Sequence, residues 1–133
     1  MHCYLVYYDG GPASAAALRS ALDLMEPETR IIALASIVSS AHPPTKDSAS
    51  RFETGAQAAL AGAVANAAER GIAIQTAMLT SADPGRAIVS YAYECHATKI
   101  FWGINRAEVE RGLNATVQYL LRFAPTQVVL VGL

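Results

Sequence analysis

Apolar positions along the chain fall into two alternating kinds of segment. Cys3–Tyr8 (CYLVYY) is a short apolar and aromatic run that stops at Asp9-Gly10-Gly11, which reads as a strand and a turn. Pro12 then suits the first turn of a helix over Ala13–Met25, with Leu18, Leu22 and Met25 on one face. Arg30–Val38 (RIIALASIV) is almost continuously apolar, as in a strand covered on both faces. Ser39–Ser50, with His42-Pro43-Pro44, reads as a loop. Phe52–Arg70 predicts a long Ala-rich helix stopped by Gly71. Ile72–Leu79 predicts a third strand. Asp83-Pro84 opens a helix to about His96, with Ile88, Tyr91, Ala92 and Cys95 on one side. Lys99–Trp102 predicts a fourth strand ending at Gly103, followed by a polar stretch over Ile104–Gly112. Asn114–Phe123 predicts a last helix, broken by Pro125, and Gln127–Val131 a fifth strand.

Strands alternating with helices imply an α/β fold with a parallel sheet covered on both faces. Right-handed crossovers reduce the topologies to a doubly wound five-stranded parallel sheet of order 3-2-1-4-5, a Rossmann-like three-layer α/β/α arrangement. No internal repeat or linker interrupts it, so one domain over residues 1–133 is expected.

Composition narrows the function classes. The chain has 133 residues, is 53% hydrophobic and 16% charged, and carries a formal net charge of −1. That balance disfavours nucleic acid or an anionic membrane surface as partner, since both select clustered Lys and Arg. No apolar stretch approaches the ~20 residues of a membrane span. The N-terminal apolar run is too short for a signal peptide, so a cytoplasmic protein is expected. Cys3 and Cys95 form no CxxC motif, and Cys95 and His96, adjacent on a helix, diverge rather than pair as nucleophile and base. His2, His42 and His96 fall in three unrelated segments, so neither a catalytic cluster nor a metal site is expected.

In a sheet of this order, ligands bind at the carboxyl ends of strands one and four. The candidate loops are Asp9-Gly10-Gly11, Gly103–Arg106 and Gly112–Thr116, the last opening a helix with free N–H groups. A receiver domain's acidic pair, a flavodoxin's Ser/Thr phosphate loop and a GxGxxG turn are all missing from these places.

Three segments, in order and at the right spacing, carry a resemblance to the universal stress protein family over almost the whole chain. They are Tyr8-Asp9-Gly10-Gly11-Pro12 before an Ala-rich helix, Ala82-Asp83-Pro84-Gly85-Arg86-Ala87-Ile88, and Tyr119-Leu120-Leu121-Arg122-Phe123-Ala124-Pro125 before an apolar strand. The resemblance implies an adenine-nucleotide pocket holding ATP or AMP. Asp9 would stand near adenine or ribose, with Tyr7 on the strand leading there. Ile37 would pack on the base, and Trp102 and Gly103 would border the sugar. The ATP-binding branch carries a glycine signature after strand four: Gly, two residues, Gly, nine residues, then Gly with Ser or Thr. Here Gly103 matches the first glycine, Arg106 replaces the second, and Asn114-Ala115 stands at the final pair. The loop is about two residues short. Arg106 and Arg111 offer guanidinium groups for phosphate oxygens, and Thr116 a displaced hydroxyl.

Each of these residues also has a plainer reading. Asp9 caps the turn before Pro12, Trp102 belongs to the core, and Arg106 and Arg111 with Glu108 and Glu110 form a solvated loop. The function expected is a cytoplasmic regulatory or stress-response module without efficient ATP binding. The alternative is an adenine-nucleotide binder with at most slow hydrolysis. The resemblance further implies a homodimer through the apolar edge strand Val128–Val131.

Overall fold

The computed structural model describes residues 1–38 and 46–133. The elements run β1 (His2–Tyr7), α1 (Pro12–Leu24), β2 (Thr29–Val38), α2 (Lys46–Ala68), β3 (Gln75–Ser81), α3 (Pro84–Glu94), β4 (Lys99–Ile104), α4 (Arg106–Arg111), α5 (Ala115–Phe123) and β5 (Gln127–Gly132). Five parallel strands form one sheet of order β3-β2-β1-β4-β5, with helices on both faces. The predicted fold class holds.

The period of two along the strands sorts the core into two layers. Tyr4, Val6 and Tyr8 of β1 and its extension point with Phe101 toward α1 and α2, packing on Leu18, Ala21, Leu60 and Ala63. Cys3 and Leu5 point the other way, with Ile100 and Trp102, toward Ile88, Ala92, Val117 and Leu120 of α3 and α5. Small side chains on α1 let it lie close to the sheet. The closest approach is at Gly103, where a Cβ atom would fall 1.9 Å from the Ala13 carbonyl oxygen. No side chain fits there, so β4 must have glycine where α1 begins.

Helix ends follow their sequence signals, with one exception. Asp83 Oδ1 accepts from the Arg86 N–H at 3.2 Å as the N-cap of α3. Beyond α2, Gly71 takes φ +72°, while the Ile72 N–H reaches the Ala67 carbonyl and the Gly71 N–H that of Ala68. This is a Schellman ending. α3 ends in the same pattern, with the Ala97 N–H on the Ala92 carbonyl, but its left-handed residue is His96 at φ 54°. The helix therefore stops at Glu94, short of the predicted His96.

Other boundaries also move. β4 continues past Trp102 to Ile104, because Gly103 and Ile104 still pair with Val131 and Gly132 of β5. β3 begins at Gln75 rather than Ile72; Ile72 and Ile74 pack on the core before the ladder with β2 starts. α2 begins at Lys46, so the tail of the predicted loop is helical, as its sequence after Pro44 has no breaker. Residues 39–45 of that loop, His42 among them, lie outside the described residues. The polar stretch over Ile104–Gly112 contains α4, a helix the hydrophobic pattern missed.

Candidate functional site

β1 and β4 are neighbours, yet their following helices leave on opposite faces of the sheet. A crevice opens at their carboxyl ends, as doubly wound topology requires. It is a cavity of about 380 Å3. Tyr7 ends β1 and Asp9 lies in the turn after it, Gly11–Ser14 begin α1, and Trp102 and Gly103 come from β4. Asn105 and Glu108 of the α4 start, Asn114 at the α5 start and Leu133 complete the lining.

Tyr7 and Trp102 share one face of adjacent strands, one position beyond the Val6–Phe101 pair. Their rings stack at 4.0 Å between centroids and 10° between planes. Trp102 is thus both core, at 6% exposure, and cavity wall. Burial, and then the Asp9 carboxylate, push the Tyr7 phenol above its ordinary value of 10.0, so it stays protonated.

Asp9 is held by the turn it ends. Its Oδ1 accepts from the Gly11 N–H at 2.8 Å and from the Ser14 hydroxyl at 2.8 Å. Ser14 is buried at 4% exposure, and its oxygen also lies 3.3 Å from the Asp9 N–H, which donates to it. The capping reading of Asp9 is therefore satisfied, while its carboxylate still borders the cavity.

Of the three helix starts beside the cavity, α1 has no side-chain cap, while α4 and α5 are capped by their own side chains. Asn105 Oδ1 accepts from the Glu108 N–H at 2.9 Å, and Glu108 Oε2 accepts from the Asn105 N–H at 3.3 Å, a capping box for α4. Asn114 Oδ1 accepts from the Val117 N–H at 2.9 Å, at the start of α5. These N–H groups are of the kind a phosphate would use. Among the described residues the cavity is lined by two carboxylates, Asp9 and Glu108, and by no Lys or Arg.

Of the nine residues singled out from the sequence, the cavity gathers Tyr7, Asp9, Trp102, Gly103 and Asn114. Ile37 is half-buried at the end of β2 and Thr116 half-buried in α5, neither on the lining. Ala115 is exposed and off the lining, as are Arg106 and, beyond those nine, Arg111, both on α4. Asn105 lies in the candidate loop Gly103–Arg106; sequence reasoning missed Ser14, Glu108 and Leu133 as lining residues. The Asn-x-x-Glu spacing at 105–108 was a readable capping signal. Nothing in the sequence marks Leu133, which arrives through the β4–β5 pairing.

The crevice lies where ligands sit in doubly wound α/β folds, the class to which this fold belongs. The model of the universal stress protein family matches residues 4–132, and the chain belongs to that family. Several solved structures share the fold. A universal stress protein from Archaeoglobus fulgidus is 18% identical, with TM-score 0.77 and 98% of each chain covered. One from Arabidopsis thaliana, solved with AMP bound, is 15% identical with TM-score 0.73, covering 99% of this chain and 92% of its own. A universal stress protein in complex with cAMP is 17% identical with TM-score 0.68, covering 98% and 96%. No curated protein matches the sequence.

Proposed function

We propose that this chain is a cytoplasmic, homodimeric regulatory module of the universal stress protein family that does not bind Mg-ATP efficiently. One observation carries this reading: Asn114 Oδ1 already holds the Val117 N–H at the helix start where the glycine signature would place a phosphate. Asp9 and Glu108 add like charge to any phosphate entering the cavity, and Arg106 and Arg111 lie off its lining. The module acts through shape and pairing rather than through turnover.

A second reading has its own support. The aromatic wall of Tyr7 and Trp102 is suited to a flat base, and relatives of this fold are known with AMP and with cAMP. A ligand with a base and little negative charge, adenosine or AMP, suits the cavity better than a triphosphate does.

Trp102 is the only tryptophan and stands in the wall, so its emission reports occupancy directly. Titration with adenosine, AMP and Mg-ATP should show no change with Mg-ATP at millimolar concentration. A response to adenosine or AMP alone supports the second reading. Saturation by Mg-ATP at micromolar concentration overturns the first.

A further inference from the structure

At the opposite end of β1 from the cavity, the fold brings together two thiols that are 92 residues apart in sequence. Cys3 Sγ and Cys95 Sγ lie 3.9 Å apart, both free. We propose that Cys3 and Cys95 are an oxidation site, a dithiol that closes to an intramolecular disulfide joining β1 to the end of α3.

The backbone holds the two sulfurs face to face. Thr98, three residues after Cys95, clamps Cys3: its N–H donates to the Cys3 carbonyl at 2.7 Å, and its Oγ1 accepts from the Cys3 N–H at 3.1 Å. The Schellman ending of α3 fixes Cys95 as the C-cap residue. Both partners are thus set by local structure, and rotation of the side chains has only about 2 Å to close to reach the bonded S–S distance. Arg30, the register partner of Cys3 on β2, reaches over the pair. Its Nη2 lies 3.6 Å from Cys3 Sγ and 3.2 Å from the Cys95 carbonyl oxygen. That places a cation where negative charge develops on sulfur during exchange.

The oxidant is a low-molecular-weight disulfide, RSSR. Cys95, the more exposed thiol, loses its proton to water and attacks one sulfur, giving Cys95–S–SR and releasing RS−. The Cys3 thiolate then attacks Cys95 Sγ and expels the second RS−. Two protons leave the protein and two electrons reduce RSSR to two RSH.

The groups around Cys95 set the rate. Burial first, then Cys3, push the Cys95 thiol up to about 11, against a lowering pull from Arg30; Tyr91 of the same helix shares this environment. The Cys95 thiolate is therefore scarce at neutral pH, and the first attack speeds up as pH rises, about tenfold per unit between pH 7 and 9.

The test treats the full chain with excess oxidised glutathione at several pH values and follows intact mass and free thiols. The monomer should lose two hydrogens and both free thiols, yield a linked peptide containing residues 3 and 95, and melt about 5 °C or more higher. Cys3→Ser should stop at a stable glutathione adduct on Cys95. Persistence of two free thiols, adducts on the wild-type chain without an internal bond, or only intermolecular disulfides would each overturn the assignment. The wild-type result stands alone if the variant does not fold.

Discussion

Gly103 has two roles on offer, as the surviving glycine of a nucleotide signature and as a packing residue, and the second is already compulsory. A Cβ would lie 1.9 Å from the Ala13 carbonyl oxygen and 2.9 Å from the Ser14 nitrogen, both backbone atoms that cannot step aside. Gly103→Ala should cost about 3 kcal/mol or more, the range of overpacked cores and above. Chemical denaturation checks it, and wild-type stability in the variant would contradict the collision. His96 makes the opposite case. It holds the left-handed position of the α3 Schellman ending, which glycine adopts without the side-chain penalty. His96→Gly should stabilise by about 1 kcal/mol in the same measurement. Neither position could be weighed from the sequence. The 103 requirement comes from a helix start ninety residues earlier in the chain, and His96 carries no glycine to mark its turn.

Among the elements, the strands and long helices were legible because apolar period and breakers agree in them. Connection handedness narrowed the sheet to doubly wound orders, of which the expected 3-2-1-4-5 is the one observed. α4 was not legible: Arg106–Arg111 buries no residue, so it leaves no apolar stripe, and only the Asn105–Glu108 capping box announces it. At the site, the strand-end residues Tyr7, Asp9, Trp102 and Gly103 were legible from topology and family motifs. The orientation of Arg106 and Arg111 was not, because a loop reading leaves side chains free to turn inward, whereas α4 fixes them on its exposed surface. β5 raises its own expectation. Among the described residues it pairs with β4 on one side only, leaving the row of main-chain groups along Val128–Val131 without a strand on the other. Size-exclusion chromatography with light scattering should return twice the chain mass of 14.1 kDa. A clean monomer at micromolar concentration would contradict pairing through this edge.

Across the whole molecule, the low charge and the alanine-rich helices make one consistent picture: two thin apolar layers against a sheet, with the cavity at one end of its strands and the thiol pair at the other. Among the described residues, no helix is long and apolar enough to cross a membrane. The titrating groups at both ends shape alkaline stability. The Cys95 thiol is raised from 9.0 to about 11, and Tyr7 and Tyr91 are raised above 10.0, burial being the largest cause in each. The folded chain keeps protons that the unfolded chain releases. The contribution of Cys95 to stability is therefore fully present below pH 9 and is lost as pH rises from 9 toward 11, and those of Tyr7 and Tyr91 decline only above pH 10. Urea melts across that window should show the decline, and Cys95→Ala should flatten its first part. An unchanged pH slope in that variant would contradict the burial of Cys95.

We propose that the strand-end cavity, with the starts of α4 and α5 capped and its lining acidic, does not take a triphosphate. Isothermal calorimetry of the purified chain with Mg-ATP tests it most directly. No saturable heat is expected up to millimolar ligand; stoichiometric binding at micromolar affinity would contradict the proposal.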